Sequence, residues 1–580
     1  MSSRLAAAYR SLLARGRLRI GFAPFALLAF ALGLGDAAAQ TPVPHGVVVA
    51  QEGRAAQIGV EVLKQGGNAV DAAVATGFAM AVTYPRAGNL GGGGYMLIHL
   101  AGRHAADVAI DYRETAPSAA TRDMFLDQNG AADPRKSRDS ALAVGVPGTV
   151  AGLALAHARY GSGKFRLADL IAPAIRLARA GLPIEDDVAE SLPGAARRLA
   201  RWPSAARIFL KPDGRALGPG DRLVQGDLAD TLEAIARGGP RAFYGGPVAG
   251  KLVAAVRAEG GILSGDDLSN YRPLVHAPVR GRYRGYDIVS MPPSSAGGVV
   301  LIEMLNILEG YRAGELGADS PERAHLMAEA MQRAYADRAA FLGDPASVTA
   351  PVARLMSKPY GRALRAGIDP AHATPARDIR PDGAPPHEGD NTTHFSVVDR
   401  FGNAVSNTYT LNFSYGLGLV AEGTGVLLNN ELDDFAAKAG APNAYGLTGG
   451  DANAPGPGKR PLSSMTPTIV LKDGKPFLVT GSPGGSRIIT AVLQVISNVI
   501  DRKLPIAEAV AAPRIHDQWS PDEVVVEDGL APDLVRGLEA FGHTVREDAP
   551  RTSANSILIT PRGLVGAADP RSRGAAAAGY

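Results

Sequence analysis

The hydrophobic pattern alternates between helical stretches and short strands. Ile58, Val62 and Leu63 share one face of a helix predicted over Arg54–Gln65, which Gly66-Gly67 ends. Asn68 is placed to cap a second helix through about Val82, whose Ala- and Val-rich sequence marks it as buried. A run of glycines, Gly88 to Gly94 with Asn89 and Leu90 between, then leads into the strand-like Tyr95-Met96-Leu97-Ile98. A phosphate loop would deliver its amides into a helix, so close backbone packing is the expected role of these glycines. From Gly145 to about Val256 the pattern is mainly helical and reads as scaffold. An apolar helix is expected over Val299–Leu308, and Ser320-Pro321-Glu322 opens a long helix to about Phe341. Asp473-Gly474 sits at the turn of a later hairpin, and a further helix spans about Arg487–Ile500.

The stretch on which the chemistry turns is Asp390-Asn391-Thr392-Thr393-His394-Phe395. The Pro-, Asp- and Gly-rich connector from Ala371 to Asn391 ends there, and two strands, Thr393–Val398 and Ala404–Leu411, flank the turn Arg400–Asn403. A hairpin centred on Phe401 sets Thr392 opposite Thr410. A cut before Thr392 would leave a threonine whose own α-amine, titrating near 8, can take the proton of its hydroxyl. Gly484 and Gly485, at the entrance of the Arg487–Ile500 helix, offer the free amides that an oxyanion hole requires. Ala436 to Arg460, with its lone Tyr445, has the composition of a long loop and a possible lid.

Composition narrows the class. With 46% apolar and 20% charged residues in 580, the chain suits a globular enzyme of two lobes or two subunits. The net charge of +3 suggests an anionic partner until Arg4, Arg10, Arg15, Arg17 and Arg19 are noticed in the first twenty residues. Without residues 1–39 there are 55 basic against 56 acidic side chains, a net of −1, which removes any nucleic-acid footprint. Those basic residues, the apolar run from Ile20 to about Gly35 and Ala37-Ala38-Ala39 read as a secretory signal peptide. The run is shorter than the ~20 residues of a spanning helix, against an anchor. No Cys is present, which excludes disulfides and thiol chemistry and agrees with a periplasmic or secreted location. His325 and Glu329, one helical turn apart, lack a third ligand in the nearby sequence and read as a solvated or ion-paired face; no metal and no cofactor are expected.

The chain resembles the gamma-glutamyltransferase (gamma-glutamyltranspeptidase) family, from about residue 45 to Tyr580. Besides Asn391-Thr392-Thr393, the likeness is carried by GGNAVDAAVATGFAMAVTYPRAGNLGGGGYML, DYRETAP, MPPSSAGG, NNELDDF, GKRPLSSMTPTIV, GSPGGSRIIT, and AADPRS with a terminal AGY. Where the pattern alone suggests a layered α+β protein, the resemblance implies the four-layer αββα sandwich of the N-terminal-nucleophile hydrolases. It also implies a large subunit of residues 40–391 and a small one of 392–580, made by self-cleavage at Asn391–Thr392. By the same resemblance Thr392 is the nucleophile and Thr410 tunes it. Gly484 and Gly485 hold the oxyanion, and Arg113 with Ser463 and Ser464 takes the substrate carboxylate. Asn412, Glu431 and Asp434 take the ammonium, and Tyr445 gates the pocket. The implied substrates are glutathione and other γ-glutamyl compounds, with water, amino acids or dipeptides as acceptors and no nucleic-acid or membrane partner. Three alternatives stay open: a glutaryl (cephalosporin-type) acylase of the same fold, a non-catalytic binding protein, and a serine hydrolase. Gly481-Ser482-Pro483-Gly484-Gly485 does not match the nucleophile-elbow spacing of the last.

Overall fold

Two antiparallel sheets lie face to face and carry the structure. The computed structural model describes residues 41–102, 105–317, 319–379, 391–438 and 450–580. The signal segment, most of the run into Asn391, and Tyr445 of the expected lid lie outside the described residues. The first sheet runs in the order Ala576–Gly579, Val47–Ala50, Thr392–Val398, Ala404–Thr410, Gly93–Leu100, Ala106–Tyr112, Leu274–His276. The second runs Gly563–Ala567, Ser556–Thr560, Lys475–Thr480, Thr468–Lys472, Tyr286–Ser290, Val279–Tyr283. Between them lies an apolar layer that includes Val47, Val49, Leu97, Val289, Ile469, Val479 and Ile557. The outer face of the first sheet is covered by helices including Gly53–Lys64 and Ala69–Thr83, and that of the second by Gly297–Leu308, Pro321–Phe341 and Arg487–Ile500. This is the αββα sandwich. Among the described residues no helix is long and apolar enough to cross a membrane.

Local chemistry explains the element boundaries. Asn68 Oδ1 accepts from the Asp71 amide at 3.0 Å and Asp71 Oδ2 from the Asn68 amide at 3.1 Å, a reciprocal cap. All fifteen residues of the helix that follows are buried. The hairpin of Thr392–Val398 and Ala404–Thr410 pairs Thr392 with Thr410 and Ala404 with Val398, the register that a turn centred on Phe401 demands.

The glycine run packs against this hairpin. A Cβ on Gly92 would lie 2.0 Å from the Thr410 carbonyl oxygen, and one on Gly91 2.0 Å from that of Leu427. Only hydrogen fits at these positions, and close approach is their role.

His325 and Glu329 depart from expectation in being fully buried. Glu329 is ion-paired with Arg333, as one of the two readings had it, and accepts from the Thr374 amide at 2.8 Å. A third candidate ligand does lie beside them: His543, far away in sequence, whose Nε2 lies 2.8 Å from His325 Nδ1. His325 Nε2–H in turn donates to the Asp369 carbonyl at 2.8 Å. The cluster thus joins the long helix to the start of the connector and to the C-terminal part of the chain.

Candidate active site

Thr392 opens an inner strand and is 7% exposed. The chain is continuous through Asn391–Thr392, and the carbonyl between them is held. Thr410 Oγ1 accepts from the Asn412 amide at 2.8 Å, which directs its own proton to the Asn391 carbonyl oxygen at 2.6 Å. Asn412 has φ +75°, a left-handed conformation that Asn tolerates. That conformation turns its carbonyl back to the Asn391 amide at 3.3 Å, while its side chain donates to Asn430 O at 2.9 Å. The expected partner of Thr410 was Thr392. The hydroxyl instead donates to the Asn391 carbonyl oxygen, one bond before Thr392.

Two residues along the strand, His394 is fully buried between Thr408 Oγ1 at 2.9 Å and Ser396 Oγ at 3.0 Å. Burial pushes its pKa down to about 3, so it is neutral. A Cβ on Gly481 would lie 2.3 Å from the His394 ring, so the segment carrying Gly484 and Gly485 presses directly on the strand that Thr392 opens. Gly484 has φ +128° and Gly485 φ +56°. Their carbonyls accept the first amides of the Arg487–Ile500 helix, and neither of their own amides donates to another described residue. That pair can receive an anion.

Arg113 follows the strand Ala106–Tyr112 and is fully buried. Its guanidinium donates to Glu431 Oε1 and Asp434 Oδ2, and its Nε to the Pro461 carbonyl at 3.2 Å. A third acid, Glu114, also fully buried, approaches Arg113 Nη1 at 3.8 Å. Burial raises the pKa of Glu114 and Glu431; Arg113 opposes that, and their neighbouring carboxylates reinforce it. Asn429–Asp434 thus folds inward to a buried site where Arg113 meets Glu114, Glu431 and Asp434. Ser463 and Ser464 follow Pro461, whose carbonyl accepts from Arg113. Ser463 Oγ accepts from the Met465 amide at 3.1 Å, and the fully buried Ser464 Oγ has no hydrogen-bond partner among the described residues. The segment is fixed by Pro292–Ala296: the Ser463 amide donates to Ser294 O at 3.1 Å and the Ala296 amide to Ser463 O at 2.7 Å. That bracing role of MPPSSAGG was not legible from sequence.

Beside this site, burial pushes Asp433 up to about 7 although the Ser137 hydroxyl donates to it. A carboxyl raised from 3.8 stabilises the fold fully below pH 4 and loses that contribution as pH rises through 7. Asp433→Asn is expected to flatten the decline in stability between pH 4 and 7, as read from urea midpoints across that range. An unchanged slope would remove Asp433 as its source.

A cavity of about 240 Å³ opens on Thr392 and is lined also by Asn391, Pro483, Tyr84, Arg86 and Asp187. Sequence reasoning missed Arg86. It lies two residues before the glycine run, and only the fold brings it to Asn391.

A threonine heading an inner strand of two stacked antiparallel sheets, each covered by helices, defines the N-terminal-nucleophile hydrolase class. Residues 55–579 match the family model described as Gamma-glutamyltranspeptidase. The chain is 50% identical over 538 residues to the glutathione hydrolase proenzyme of Escherichia coli (strain K12), covering 92% of each. It is 48% identical over 572 residues to that of Pseudomonas sp. (strain A14), covering 96% of this chain and 99% of the other. Among solved structures it is similar to cephalosporin acylase from Bacillus halodurans, with a TM-score of 0.81, 27% identity, and 97% and 99% of the two chains covered. The chain belongs to the gamma-glutamyltranspeptidase family.

Proposed function

We infer that this protein is a self-processing gamma-glutamyltransferase and glutathione hydrolase, exported after loss of residues 1–39 and cut into chains 40–391 and 392–580. The observation that carries the reading is the Thr410 hydroxyl donating to the Asn391 carbonyl, one bond before Thr392. Thr392 Oγ attacks that carbonyl carbon, the C–N bond breaks, and the acyl group passes from nitrogen to oxygen. Water then cleaves the ester, leaving a carboxylate on Asn391 and a free α-amine on Thr392. In the second use of the same hydroxyl the amine takes its proton and Thr392 Oγ attacks the γ-carbonyl of the substrate. The oxyanion is held by the Gly484 and Gly485 amides, each worth about 3 kcal/mol in comparable enzymes. The leaving amine departs protonated, and water, an amino acid or a dipeptide releases the γ-glutamyl group.

The clamp supports γ-glutamyl over glutaryl. The substrate's α-carboxylate engages Arg113, Ser463 and Ser464, and its α-ammonium engages Asn412, Glu431 and Asp434, replacing part of the internal ion pairing. A glutaryl group brings no ammonium and would leave buried acids unmatched, which argues against the acylase reading despite the likeness to cephalosporin acylase. Turnover of γ-glutamyl and glutaryl anilides tests this: kcat/KM is expected to favour glutamyl by about 100-fold or more. Equal or reversed preference would overturn it.

A further inference from the structure

The cavity at Thr392 is lined by none of Arg113, Glu431, Asp434, Ser463 or Ser464. A substrate amide with its glutamyl end in that clamp and its carbonyl at Thr392 therefore directs its nitrogen side into the cavity. Three guanidiniums reach the walls, those of Arg86, Arg551 and Arg571. Arg571 is held by Glu527 at 2.7 Å and Asp569 at 3.1 Å, and Arg551 by Asp548 at 3.2 Å.

Arg86 is placed differently. Its Nη1 donates to Asp187 Oδ1 at 2.6 Å, which orients the guanidinium plane. Its other edge, Nε and Nη2, donates to Asn391 Oδ1 at 2.8 and 2.6 Å, with Ser414 Oγ also 2.9 Å from Nε. This edge is the fork that suits a carboxylate. In the uncut chain it is filled by one oxygen of the residue that cleavage turns into a free chain end.

We propose that, once the Asn391–Thr392 bond is cut, Arg86 binds the carboxylate of the amine partner. This is the C-terminal carboxylate of the peptide that leaves a γ-glutamyl donor, and the carboxylate of the amino acid or dipeptide that accepts the group. The assignment rests on the γ-glutamyl reading above and adds the subsite on the other side of Thr392. Asp187 is a positioning residue for Arg86.

The test uses Arg86→Gln and Arg86→Lys in full-length protein, with the cut material isolated as two chains. Donors are glutathione, whose leaving peptide has a carboxylate, and γ-glutamyl-p-nitroanilide, whose leaving amine has none. Acceptors are glycylglycine and glycylglycinamide. In Arg86→Gln, kcat/KM for glutathione is expected to fall about tenfold or more relative to the anilide. The preference for glycylglycine over its amide should disappear through KM, and Arg86→Lys should restore part of both. Equal losses on both donors with the acceptor preference intact would overturn the assignment, as they would if the new Asn391 carboxylate keeps Arg86 occupied. Should Arg86→Gln fail to yield cut protein, Asp187→Asn is expected to shift the same two ratios in the same direction, and no shift there overturns it too. Wild-type turnover of the anilide reports separately on the γ-glutamyl reading: none removes that reading, whereas turnover without carboxylate discrimination removes only the role of Arg86.

Discussion

Thr392→Ala is expected to remain one uncut chain on a denaturing gel, about 60 kDa before any loss of residues 1–39, and to lose γ-glutamyl turnover by about 10⁶-fold, the loss typical of removing an acyl-transfer nucleophile. Both consequences come from one atom. Alanine at 392 keeps the strand, its pairing with Thr410 and the polarised Asn391 carbonyl, but supplies no oxygen to attack it. The uncut chain then lacks the α-amine as well, so the defect is complete at the first step. Two fragments from this variant would show that another group makes the cut.

The second large effect is expected at Arg113. Arg113→Ala leaves Glu114, Glu431 and Asp434 buried without their shared cation, at a cost of about 3–5 kcal/mol of folding stability. Its pH dependence has a definite sign. Acids whose folded pKa is raised favour the folded state most when protonated, and that contribution is lost as pH rises. Without Arg113 the pKa values of Glu114 and Glu431 rise further, so the deficit should be largest at pH 8 and shrink towards pH 5. Urea midpoints of variant and parent at the two pH values measure it. A deficit below about 1 kcal/mol, or an equal one at both pH values, would mean that the ion pairs contribute little.

Features written in adjacent residues were the most legible in the sequence. The cap at Asn68, the helix over Arg487–Ile500 and the Thr392–Thr410 register all follow from local patterns, and the structure has them. The four layers were not readable from periodicity, because both faces of Thr392–Val398 are buried and the strand shows no clear alternation of apolar and polar residues. They entered through the family likeness. Among contacts between residues far apart in sequence, the Arg113 site entered only through the family likeness and others escaped. Arg86 meets a residue 305 positions away, His543 reaches His325 across 218, and Glu114 becomes a site acid only because Asn429–Asp434 folds inward.

The strand order of the first sheet has one more consequence. Val47–Ala50 lies between Ala576–Gly579 and Thr392–Val398, and Gly93–Leu100 adjoins Ala404–Thr410. With the cut proposed before Thr392, strands of the two polypeptides would be shuffled together, one long-chain strand sandwiched between two from the short chain. Pulling the pieces apart means unzipping the backbone ladder on several seams at once. Reassembly from denatured pieces is a two-body encounter, where the parent chain needed only to fold on itself. On that proposal the mature enzyme would keep an arrangement reached as a single thread, and its persistence would be set by how slowly it unravels.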